Sequence, residues 1–170
     1  GKTTFLQNLI GLGGTPLQLE FDKKITHKNC TCGFSIYTTS EDKIFEGTVA
    51  NNIALFQSED QVYHKSIQSI TKDLGLSEIF GKLANEKQIL DNGANLSLGQ
   101  KQRLLLARVL YLKPKIVVID ELLSGLDITT FNSIISLLKK RLNNSFIFVI
   151  AHNDRASLNI ERELIIEGDC

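Results

Sequence analysis

At 170 residues the chain has one domain's length and can bury a sizeable core; 42% hydrophobic and 22% charged residues make an ordinary globular composition. Nineteen Lys and Arg balance nineteen Asp and Glu, so no overall basic field recommends a nucleic acid partner, and no apolar run approaches the ~20 residues of a membrane span. Cys30 and Cys32 are poorly spaced to pair with each other, and with His27 they offer a zinc ion only three ligands; with Cys170 they read as thiols of a reducing compartment.

Gly1-Lys2-Thr3-Thr4 matches the end of a phosphate-binding loop, G-x-x-x-x-G-K-[ST], running into a helix over Lys2 to Ile10 that Gly11 to Gly14 ends. The front of such a loop is absent and the chain holds no methionine, so a fragment cut inside the loop is expected. Leu17 to Phe21 and Gly33 to Thr38 are short strand candidates on either side of a polar loop. From Thr48 the pattern turns helical. Val49, Ile53 and Leu55-Phe56 fit one helix; Val62, Ile67, Ile70 and Leu74 fit a second, stopped at Gly75. The region of approximately 48–95 carries no strand signal.

Leu104 to Leu110 continues a helix that Pro114 closes, and Ile116 to Ile119 is a β-branched run suited to a strand buried on both faces of a parallel sheet. Thr129 to Leu142 has Ile134, Ile135, Leu137 and Leu138 at helical spacing; Phe146 to Ile150 is a second buried strand, and Arg162 to Ile166 a shorter last one. Strands alternating with helices predict an α/β fold with a mostly parallel sheet, one domain over 1–170 carrying an inserted helical subdomain.

The chemistry-bearing residues each have a plain structural reading too. Lys2 and Thr3 could be a solvated lysine and a helix cap; ahead of a helix, they suit a point charge on phosphate and a hydroxyl on magnesium. Asp120 and Glu121 could cap the next helix. Two carboxylates leaving a buried strand suit divided labour better, Asp120 on magnesium and Glu121 on an attacking water. Ser97, Gly99 and Gln100 start a helix and could be an N-cap and no more. Asp127 could cap the following helix, and His152, just past the strand ending at Ile150, could be structural. Parallel strands nonetheless deliver their C-terminal ends to one crevice, where Asp120 also ends its strand.

Taken in order, the loop end, Leu96-Ser97-Leu98-Gly99-Gln100, Ile116 to Glu121, Ser124-Gly125-Leu126-Asp127 and Ala151-His152 resemble the ATP-binding cassette (ABC) ATPases across nearly the whole chain. The resemblance implies a P-loop NTPase-like core, ATP and Mg2+ as cofactors, and two active sites in a head-to-tail dimer with a second cassette. It puts Gly1, Lys2, Thr3 and Thr4 on the phosphates, Thr3 and Asp120 on magnesium, Glu121 as the catalytic carboxylate and His152 as the switch histidine at the γ-phosphate. Ser97, Gly99 and Gln100 correspond to the signature segment that covers the partner's nucleotide, and Asp127 to the D-loop at the dimer interface.

Two departures stand out: Leu98 replaces the first glycine of LSGGQ, and Ser40 stands where the Q-loop glutamine, near metal and water, is usual. Phe45-Glu46-Gly47-Thr48 and Asp91-Asn92-Gly93 resemble loops of exporters. The implied setting is therefore a transporter's transmembrane domain, fused or separate, with the cassette on the cytoplasmic face of a membrane (the inner membrane if bacterial) and no nucleic acid partner. The competing readings are a soluble ABC ATPase acting on ribosome or nucleic acid, and a regulatory cassette with weak turnover. The isolated fragment is expected to be inactive.

Overall fold

The computed structural model of the protein describes residues 20–21, 25–26, 35–56, 61–77 and 88–150. Among these the chain forms β1 (Glu20–Phe21), β2 (Ile25–Thr26), β3 (Ser35–Thr39), β4 (Gly47–Thr48), α1 (Val49–Ala54), α2 (Gln61–Asp73) and β5 (Gln88–Ile89). A 3-10 turn at Asp91–Gly93 leads to α3 (Leu98–Leu112), followed by β6 (Ile116–Asp120), α4 (Ile128–Arg141) and β7 (Phe146–Ile150).

The sheet that positions the site is parallel, in the order β3-β6-β7. Its central strand is the β-branched run Ile116 to Ile119, buried from Val117 to Asp120, as a strand covered on both faces must be. The register aligns Thr39, Asp120 and Ile150 in one row, so three strands end together. α4 provides the crossover between β6 and β7 that parallel pairing requires. The edge is set locally: Phe146 N–H donates to the Lys115 carbonyl at 2.8 Å and the Ser145 hydroxyl to the Pro114 carbonyl at 2.5 Å.

α3 is apolar around most of its circumference, and Leu104 to Leu110 are all buried. Such a helix must be covered on several sides. α1 and α2 pack on it, and one continuous core joins it to Val117, Ile119, Leu122, Phe131 and Leu138. Burying a leucine contributes about 1.5–3 kcal/mol, so this helix is a principal source of stability. Lys113 ends it in the left-handed region, its N–H bonded to the Val109 carbonyl, ahead of Pro114.

Within the buried stretch Leu104 to Leu110 one side chain breaks the apolar pattern. Buried Arg108 donates Nε to the Asn52 carbonyl (2.8 Å), Nη1 to the Lys43 carbonyl (2.7 Å) and Nη2 to Asn52 Oδ1 (2.9 Å). Asn52, itself fully buried, accepts from Phe45 N–H at 2.9 Å and donates to the carbonyls of Phe45 and Thr48 at 2.8 and 3.1 Å. The Phe45 ring lies 5.4 Å from the guanidinium carbon. Desolvation pulls the guanidinium below its usual pKa, and the field of Asp42 partly offsets this. The cluster clamps the segment after β3, and α1 with it, to α3.

Several expectations need adjusting. Glu20–Phe21, at the end of the expected strand Leu17 to Phe21, pairs with Ile25–Thr26, which falls in what reads as polar loop. The helical region also carries strand: Gly47–Thr48 pairs antiparallel with Gln88–Ile89. Leu55 and Phe56 do not continue the helix as expected; both have left-handed φ, both N–H groups close on the Asn51 carbonyl, and they are 41% and 57% exposed. Three-residue spacing cannot tell a core side chain from an exposed one just past a helix end. The expected elements at 2–10 and 162–166, and the cysteines, lie outside the described residues.

Candidate functional site at the carboxyl ends of the parallel strands

Asp120 closes β6 and is only 7% exposed, whereas Glu121 is exposed. Between them the backbone turns sharply. Glu121 adopts φ 54°, a left-handed conformation that costs a non-glycine residue roughly 1–2 kcal/mol, and its carbonyl accepts from Ser124 N–H at 2.9 Å in the following turn. The kink throws the second carboxylate outward at the end of the sheet while the first stays buried. Strain of this kind at adjoining carboxylates fits a site of chemistry.

Beside them, on β3, the chain turns after Thr39. Ser40 is exposed at the tip, one residue beyond Thr39, which pairs with Asp120. Asp42 holds this turn: the Thr38 hydroxyl donates to Oδ2 at 2.8 Å, the Thr39 hydroxyl reaches Oδ1 at 3.5 Å, and Glu41 N–H donates to Thr39 Oγ1 at 3.1 Å. The register thus brings Ser40, Asp120 and Glu121 to one end of the sheet.

Ser97 does cap α3, through a reciprocal box: Ser97 Oγ accepts from Gln100 N–H at 3.3 Å and Gln100 Oε1 from Ser97 N–H at 3.0 Å. Lys101 Nζ donates to the Asn92 carbonyl at 3.0 Å, tying the preceding 3-10 turn to the helix start. Leu98, in the first turn, is 65% exposed. A Cβ built on Gly99 meets nothing within 4 Å, so the fold places no steric demand for glycine there. Asp127 caps α4, accepting from the Thr130 N–H at 2.9 Å and from the Thr129 hydroxyl. The hydrogen bonds from Thr129 and Thr130 hold its carboxyl well below the usual carboxylate range. Gly1, Lys2, Thr3, Thr4 and His152 lie outside the described residues.

With this geometry in hand, the sequence profile of the family described as "ABC transporter" matches residues 1–124. The chain belongs to the ABC transporter family. A lipid A-core flippase of Pasteurella multocida, described as ATP-dependent, is 32% identical over 95% of this chain and 27% of its own length. A Rickettsia typhi protein named as an export ATP-binding/permease protein is 31% identical over 98% of the chain and 30% of its own. The chain thus spans less than a third of the length of these relatives. A bacterial Atm1-family ABC exporter solved with ATP bound superposes with a TM-score of 0.58, covering 69% of this chain and 21% of the other at 24% identity, a likeness of fold.

The residues of this ABC domain suit magnesium bound together with phosphates. Among the described residues no three His, Cys, Asp or Glu side chains form a metal cage. Mg2+ keeps water and takes one or two carboxylates plus substrate phosphates, which asks the protein for oxygen donors only. Asp120 with its carboxylate and Ser40 with its hydroxyl are of that kind. Sequence reasoning missed two supporting features. Tyr37 donates its hydroxyl to Asp120 Oδ2 across 83 residues of chain, and Arg108 grips Asn52 across 56. For Arg108 a signal existed, a lone cation inside Leu104-Leu-Leu-Ala-Arg-Val-Leu110; for Tyr37 none did without the register.

Proposed function

We propose that this chain is the ATP-binding and hydrolysing domain of an exporter-type ABC transporter. It works in a head-to-tail dimer with a second cassette, on the cytoplasmic face of a membrane, and drives membrane-spanning segments on the same or another chain. The observation that carries the reading is the split pair at the end of β6, Asp120 buried and Glu121 turned outward beside Ser40. Names of relatives that export or flip their substrates support the direction of transport.

In this reading Glu121 orients a water and takes its proton as the water oxygen bonds the γ-phosphorus and the bond to the β-phosphate oxygen breaks, releasing ADP. Lys2 and Thr3 hold the phosphates, and His152 holds the γ-phosphate. Asp120 and Thr3, with Ser40 alongside, would hold magnesium, which would offset the charge of the phosphates. Ser97, Gly99 and Gln100 present a helix start to the partner's nucleotide, where the dipole favours negative charge; Asp127 lies at the dimer contact.

The test is ATP turnover by the full-length protein and its Glu121→Gln variant. Loss of about 10²–10⁴-fold in rate with ATP binding retained is expected; turnover by the variant at the parent rate would refute the assignment. The exposed Leu98 in place of a glycine favours one second reading, a regulatory cassette, which ATP binding without turnover by the unaltered protein would support.

A further inference from the structure

The geometry points to Tyr37 as a positioning residue for the metal carboxylate Asp120, an inference that rests on the nucleotide-hydrolysing reading above. In the parallel register Tyr37 lies opposite Val118, and residues two apart on a strand share a face. Asp120 is two residues beyond Val118. A tyrosine on β3 is therefore on the same face as the carboxylate and one pleat behind it, with a ring long enough to close the gap. It does so: the Tyr37 hydroxyl donates to Asp120 Oδ2.

A carboxylate this deeply buried requires hydrogen-bond partners, because water cannot supply them freely. A donor bonded to one carboxylate oxygen fixes the plane of the group and so the direction in which it meets a cation. Groups behind a metal ligand act in this way, and their loss costs about 10–100-fold in metal affinity or activity. The adjoining Q-loop position makes the device more consequential here. Ser40 is a shorter side chain than the glutamine usual in the family, so the orientation of Asp120 carries more of the cation's placement. Tyr37 touches neither metal nor nucleotide in this account; it acts through Asp120.

The experiment compares the full-length protein with its Tyr37→Phe variant, which keeps the ring and removes only the hydroxyl. Mn2+ binding is titrated by EPR in the presence of a non-hydrolysable ATP analogue, and analogue binding is measured separately in EDTA. Weakening of Mn2+ binding by about tenfold or more, with metal-free nucleotide binding unchanged, is expected. In an Asp120→Asn background the same substitution should add nothing. Equal Mn2+ affinities in parent and Tyr37→Phe would overturn the proposal alone, as would an equal loss of nucleotide binding with and without metal. If the parent protein binds Mn2+ no better with the analogue than without, the nucleotide-hydrolysing reading fails and this inference falls with it.

Discussion

Replacing Arg108 by methionine isolates the buried clamp between α1 and α3. The substitution keeps most of the apolar stem and removes every donor. Asn52 Oδ1 would still accept from Phe45 N–H at 2.9 Å. The carbonyls of Asn52 and Lys43 would lose the Arg108 bonds of 2.8 and 2.7 Å and sit against a thioether. The buried Asn52 carbonyl stripped of its partner costs about 1–3 kcal/mol; the Lys43 carbonyl belongs to an exposed residue and adds less. Relief from burying a guanidinium offsets part of that. A net loss of about 2 kcal/mol is expected, a sizeable share of the 5–15 typical of a folded domain. At this size each kcal/mol moves the thermal midpoint by about 2–4 °C, hence a fall of roughly 4–8 °C. The assay is urea and thermal unfolding followed by circular dichroism at 222 nm, since the chain has no tryptophan. Arg108→Lys should recover only part of the loss, because an ammonium lacks the planar fork that spans both carbonyls. If Arg108→Met unfolds within about 1 kcal/mol of the parent, the clamp is not a stabilising device and the accounting of unpaired carbonyls is wrong.

Gly99→Ala should raise stability by up to about 1 kcal/mol, because a Cβ there meets nothing and alanine favours helix. Turnover should nonetheless fall at least about tenfold if the partner's nucleotide comes close to this backbone; unchanged kinetics would remove the signature segment from the site. Asp127 has a lowered carboxyl pKa, so its cap stabilises the folded state above the unfolded aspartate value of about 4 and is lost as pH falls below it. Asp127→Ala should therefore be less stable than the parent at neutral pH, with the gap narrowing in unfolding titrations below about pH 4; a gap constant with pH would contradict the assignment.

Much of the local architecture is legible in the sequence because its causes lie within a few residues of one another. The β-branched run at Ile116 to Ile119, the helical spacing before Leu142, the serine and aspartate caps at Ser97 and Asp127, and the stop at Gly75 depend on the pleat, the helical repeat and neighbouring N–H groups. The adjoining carboxylates Asp120 and Glu121, at the end of an apolar run, also mark a candidate site in the sequence itself. Only the tertiary structure decided which strand ends share a row, that Glu121 turns out through a left-handed backbone while Asp120 stays in, that Tyr37 bonds Asp120 and that Arg108 clamps Asn52. It also placed Leu55 and Phe56, expected within a helix, exposed just past its end. The physical reason is range. Caps and periodicity are settled by contacts along the chain, whereas register, burial of a polar side chain and a bond across 83 residues depend on how all the packed elements close around one another.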